Sequence, residues 1–179
     1  MEGFIMDKTV HNTGEPDKQK LIEALCCDNE FERIEARKTI AAKGRVMIDV
    51  LKELLSHPKH LCRWEAMKTL EEMAEPDSIP IFLKVLEDDR GDLRWIAAEG
   101  LIKLGRKSVE PLLKNLLDKS HSVLFLSGAH HVFYSLRENK ELPDDFPTDK
   151  LLSFLKCAEA EKSIKPLVYE ILGSVEKQK

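Results

Sequence analysis

One four-residue pattern returns three times in this chain at a nearly constant period, and that constrains the fold more than any single motif. Arg33-Ile34-Glu35-Ala36, Arg63-Trp64-Glu65-Ala66 and Arg94-Trp95-Ile96-Ala97 set an arginine three residues before an alanine, with the alanines 30 and then 31 residues apart. Leu25, Leu55, Leu86 and Leu117 recur at 30, 31 and 31. Pro80 and Pro111 stand 31 apart, and Ser78 and Ser108 stand 30 apart. Independent ladders sharing one period mark stacked units, none of which can bury its apolar face alone.

Each unit reads as two antiparallel helices. At about 100° per residue, Leu93, Leu101 and Leu104 gather around Ala97, and Cys62, Leu70 and Met73 around Ala66. The small central residue lets neighbouring helices approach closely. Pro80 and Pro111 suit helix starts, where a missing N–H costs little, and Ser78 and Ser108 are the matching N-cap candidates. The pattern predicts helices at 17–27, 30–43, 45–55, 60–74, 78–87, 91–104, 108–118, 121–137, 149–160 and 163–175. Residues 1–15 lack periodicity and read as a flexible N-terminal segment. Residues 16–179 read as one domain: a half-repeat at 16–27, repeats at 28–56, 57–87 and 88–117, a degenerate repeat at 118–137 and a loop at 138–147. A capping pair at 148–175 follows, with Thr148 as its N-cap. The expected fold is all-α, a right-handed superhelix of about four helical repeats with capping helices.

Two registers fit the fourth repeat. Aligning Ser127 with Ala97 turns His131 and Tyr134 inward, whereas aligning Ala129 buries Phe125, Phe133 and Leu136. The second is preferred because it buries apolar groups rather than imidazole.

Composition narrows the function. The 179 residues carry 28 Lys and Arg against 32 Asp and Glu, a net charge of −4. A mildly acidic chain is poor material for binding nucleic acid or anionic lipid over its whole surface. No stretch approaches the roughly 18 apolar residues of a membrane span, and the first ten residues do not read as a secretory signal. Cys26, Cys27, Cys62 and Cys157 have no C-x-x-C spacing, so reduced thiols in a cytoplasmic protein are expected.

The units at 28–56, 57–87 and 88–117 resemble HEAT repeats of the short type found in phycocyanobilin lyases. The resemblance is carried by Leu93-Arg94-Trp95-Ile96-Ala97-Ala98-Glu99-Gly100-Leu101, followed by Val109-Glu110-Pro111-Leu112-Leu113. It implies that Arg33, Arg63 and Arg94 are structural ladder residues pairing with acids near the preceding turn, where Asp28, Asp88, Asp89 and Asp118 are available. It also implies that the arginine-bearing helices line a concave, ligand-facing groove. Deoxyhypusine hydroxylase has similar repeats, with His-Glu pairs after the ladder arginine to hold iron. Here that glutamate stands twice, as Glu35 and Glu65, and the histidine never, so iron chemistry is not expected.

Trp64 and Trp95, 31 apart, point about 160° from the core centre by the same helical count. Glu65, Lys68, Glu99, Ile102, His131 and Tyr134 complete the expected protein-binding set. Exposed tryptophans in register suit an interface; the alternative is that they pack on each other and reinforce the stack. His57-Pro58-Lys59-His60 has chelating spacing but no completing ligand set, and His130 and His131 diverge on one helix. The expectation is therefore a non-enzymatic scaffold for a protein or peptide, without catalytic residues, metal or cofactor. It would act as a monomer or weak homodimer and bind neither nucleic acid nor membrane. The alternative is a phycobilin lyase-like chromophore carrier.

Overall fold

The computed structural model describes residues 18–156 and 160–177. The expected flexible segment, His11 and Cys157 lie outside them. The described residues form ten α-helices and no strand. They are α1 (Lys18–Leu25), α2 (Glu30–Lys43), α3 (Ile48–Leu54), α4 (His60–Met73), α5 (Ile79–Val85), α6 (Gly91–Lys103), α7 (Arg106–Lys119), α8 (Val123–Glu138), α9 (Thr148–Leu155) and α10 (Ala160–Lys177). Among the described residues, no helix is long and apolar enough to cross a membrane.

The helices alternate between two layers. α2, α4, α6 and α8 pack side by side in chain order, with α9 following on α8. The short α3 and α5 and the longer α7 form the other layer, which α10 extends by packing on α7 and α9. The repeat alanines explain the close fit of the first layer, since Ala36, Ala66, Ala97 and Ala129 are all buried between neighbours. Gly100 fits still more tightly, with a Cβ there placed 2.5 Å from the Phe82 ring. The burial of Ala129, Phe125, Phe133 and Leu136, with Ser127 exposed, settles the fourth register in favour of Ala129.

The turn closing each arginine-bearing helix adds a further ladder. Gly44, Ala74 and Gly105 all have positive φ, at 65°, 49° and 59°. They are 30 and 31 residues apart. Only Ala74 is left-handed helical, with ψ 39°; Gly44 and Gly105 have ψ of −146° and −137°, a region open essentially to glycine, which is why glycine serves at those two positions.

Three expected caps are not formed. Ser78 ends a 3-10 turn (Pro76–Ser78) that runs directly into α5; its φ/ψ of −81°/−12° is helical, whereas a capping residue needs extended backbone. Ser108 lies inside the first turn of α7, which begins at Arg106, so its hydroxyl donates back to the Gly105 carbonyl at 2.8 Å. That earlier start also places Pro111 inside the helix rather than near its beginning. Thr148 is already helical and donates to the Phe146 carbonyl. The caps that do form are Asn29, accepting from Phe31 N at 3.0 Å, and Ser122, accepting from Phe125 N at 3.3 Å.

Candidate protein-binding face

The arginine ladder is the scaffold of this face, and it works differently from the expectation. Arg33 Nη1 donates to the carbonyls of Cys27 and Asp28 at 3.1 and 2.9 Å. Arg63 repeats this on His57 and Pro58 at 2.7 and 3.1 Å, and Arg94 on Asp88 and Asp89 at 2.6 and 3.1 Å. The acceptors are backbone carbonyls rather than the side chains of Asp28, Asp88, Asp89 or Asp118. Carbonyls just past a helix C-terminus lack helical donors and sit at the negative end of the dipole, so a fixed cation suits them. Asp28 gives its carboxylate to Lys59 at 2.7 Å instead. That hydrogen bond, and then the Lys59 charge, hold the Asp28 carboxyl below its ordinary range.

Glu65 is not available to a partner. It is 3% exposed, with Arg33 Nε at 2.8 Å and Arg37 Nη1 at 2.7 Å. A carboxylate can be buried there because two guanidiniums of the preceding repeat take both oxygens. This pairing joins α2 to α4.

The two tryptophans diverge. Trp64 is half-buried against the core and forms one wall of a cavity of about 410 Å³ between α2 and α4, which Ile34, Arg37 and Leu61 also line. Trp95 is 59% exposed and stacks on His131 of the next repeat, ring centroids 4.7 Å apart at 29°. Its aromatic partner is thus a histidine. His131 Nε2 lies 3.0 Å from Glu99 Oε1, so Glu99 fixes the ring on which Trp95 rests. Ile102 is half-buried against the core, and Lys68 pairs with Glu71.

At the far end Tyr134 is 44% exposed, with the Arg137 guanidinium 5.0 Å from its ring centroid. His130 lies nearly parallel to Tyr134, its ring centroid 6.4 Å away. Burial, and then the charges of Lys156, His131 and Arg137, push the His130 imidazole below its ordinary value. The chelating reading of residues 57–60 does not form, because His57 Nδ1 accepts from Lys59 N and His60 Nε2 meets Asp92 Oδ2 at 2.7 Å.

The ladders, caps and two layers together define the repeat, and the comparison with known families agrees. Residues 18–102 match the family model for HEAT repeats. Over that stretch, a little under half of the chain, the sequence is similar to HEAT repeats. No curated protein and no solved structure matches the chain.

The helices carrying the arginines pack more closely along the stack than their counterparts, and grooves of about 890 and 800 Å³ open between α3 and α5 and between α5 and α7. Trp95 and Tyr134 are exposed on this tighter layer, which the repeat resemblance implies is the inner, concave one. Sequence reasoning missed two residues of this surface. Phe31 is 81% and Leu124 38% exposed. Both stand five positions before a repeat alanine, and that shared offset was the available signal.

Among the described residues, no group of three or more His, Cys, Asp or Glu side chains could hold a metal. Cys26, Cys27 and Cys62 are free thiols. Burial, and then a hydrogen bond with Cys62, push the Cys26 thiol up to about 12, which keeps it protonated and unreactive.

Proposed function

We propose that the inner face of this HEAT array docks a protein or peptide partner, with Trp95 as the central anchor. The observation that carries the reading is an indole 59% exposed yet held in place by His131 and, through it, Glu99. A large apolar side chain already fixed in the free protein loses little entropy on binding, which is the property of interface anchors. Phe31, Leu124 and Tyr134 extend the apolar surface across the repeats.

Lys68 on this face is paired with Glu71, and the carboxylates of Asp92 and Glu99 lie within hydrogen-bond distance of the His60 and His131 rings. That leaves little net field to draw in a polyanion, so the reading favours a protein or peptide over nucleic acid. The proposed activity is binding rather than catalysis, and the free thiols suit a reducing cytoplasm.

Affinity capture with the wild type and with Trp95→Ala/Tyr134→Ala tests it. Both positions are solvent-facing, so the variant should keep its helical circular dichroism and lose the partners retained by the wild type. Identical capture by both proteins would sink the assignment. The resemblance to phycocyanobilin lyases supplies the second reading, a flat chromophore on the same aromatics, and a visible absorbance band in the purified protein would favour it.

A further inference from the structure

The outer layer carries a second surface, independent of Trp95. The groove of about 800 Å³ between α5 and α7 has Ile79, Pro80 and Leu83 on one wall and Pro111 on the other. Ile79 and Leu83 are core residues, so the floor is the edge of the hydrophobic core reached from outside. The prolines bring fixed backbone and no rotamer-rich side chains, which keeps the walls rigid. Pro111 also brings no N–H to the Lys107 carbonyl, leaving a main-chain acceptor without its helical donor on the same wall.

Charge distinguishes this groove from its neighbour. Arg106, Lys107 and Lys114 line it against a single carboxylate, Glu110. Lys114 Nζ lies 3.0 Å from Glu110, and Arg106 and Lys107 are exposed with no ion pair among the described residues. Glu141 sits beside Gly105 at the head of α7, outside the groove lining. The preceding groove, between α3 and α5, sets Asp49, Asp77, Glu87 and Asp88 against three lysines. Two of those carboxylates are already paired, Asp77 with Arg45 and Glu87 with Lys119. One repeat further along, the same architecture therefore carries, among the described residues, an excess of positive charge around an apolar floor.

We propose that the α5–α7 groove binds an extended acidic peptide segment, with an aliphatic side chain on the Ile79–Leu83 floor and carboxylates on Arg106 and Lys107. The floor supplies apolar contact and the rim supplies sign selectivity. Two exposed cations at a groove mouth, without an ion pair among the described residues, also speed association and make it salt-dependent.

The test uses the full chain and a fluorescein-labelled probe of alternating leucine, proline and glutamate, read by fluorescence anisotropy. Binding should be saturable, weaken at high salt, and fall about tenfold or more in Arg106→Glu/Lys107→Glu. Probes with lysine for glutamate, or serine for leucine, should bind more weakly. Trp95→Ala should bind the probe as the wild type does, which separates this groove from the inner face. If charge reversal disturbs the fold, Arg106→Gln/Lys107→Gln gives the same reading with a smaller loss. Absence of saturable binding, equal binding of the lysine probe, indifference to both double variants, or loss of binding in Trp95→Ala would each overturn the proposal.

Discussion

Glu65 shows what the individual residue contributes to this fold. In sequence it stands beside Trp64 and resembles the exposed Glu35 one repeat earlier; its role depends on Arg33 and Arg37, 32 and 28 residues away. A helical count gives the direction of a side chain from its own helix but not what the adjacent helix places over it. That is why the binding set read from sequence held one residue that is interior. Glu65→Ala leaves two guanidiniums facing an emptied site and should cost about 3 kcal/mol in urea unfolding, the lower end for a broken buried pair because both arginines keep other acceptors. Glu35→Ala, which removes only an exposed pair with Lys38, should cost less than about 0.5 kcal/mol. Equal costs would show that the Glu65 pair contributes nothing special. His130 supplies a pH dependence whose sign is fixed. Its folded-state pKa is depressed from the ordinary 6.5. Stability from the neutral imidazole is thus present above pH 6.5 and lost as pH falls through the folded value. Urea midpoints measured downward from neutral pH should fall less steeply in His130→Gln. A parallel slope in the variant would contradict the assignment.

At the level of the helix, the period of about 30 residues carried most of the information. All ten helices follow the apolar spacing, because the side chains that stack one repeat on the next must return at the same angle. Helix ends were less legible. Ser78, Ser108 and Thr148 have capping side chains, yet a serine or threonine becomes a cap only where the backbone is extended, and a 3-10 lead-in or a helix beginning one or two residues early removes that condition. The positive-φ ladder was readable only at its glycines, since Ala74 occupies the middle position. Ala74→Gly should raise stability by up to about 1 kcal/mol by removing the steric cost of a left-handed alanine. A loss measured by urea unfolding would count against the strain. Close approach gives the opposite prediction at Gly100, where a methyl group meets the fully buried Phe82 ring. Gly100→Ala should cost about 1–3 kcal/mol. Gly128→Ala should cost less, because its nearest neighbour is the tip of Leu86, whose methyl groups can shift. Circular dichroism melts of the two variants would show the order, and a reversed order would contradict the packing described between α5 and α6.

The described residues form two layers of unequal spacing, one tightly packed and one opened by grooves. The sequence made the layers legible and the repeat type recognisable, because alanine, arginine and leucine ladders report one-dimensional stacking directly. It did not separate Trp64 from Trp95. Both occupy the same repeat position, but the residues opposite them differ, Arg37 and Ile34 beside one and His131 beside the other. That difference leaves Trp95 as the exposed indole, and the proposed docking surface depends on it. With only two tryptophans in the chain, Trp64→Phe leaves Trp95 as the sole indole emitter. On adding a partner recovered by affinity capture, the account predicts a blue shift of the Trp95 emission and loss of acrylamide quenching as the ring becomes covered. A complex that forms while the Trp95 spectrum and its quenching stay unchanged would contradict the inner face as the docking surface.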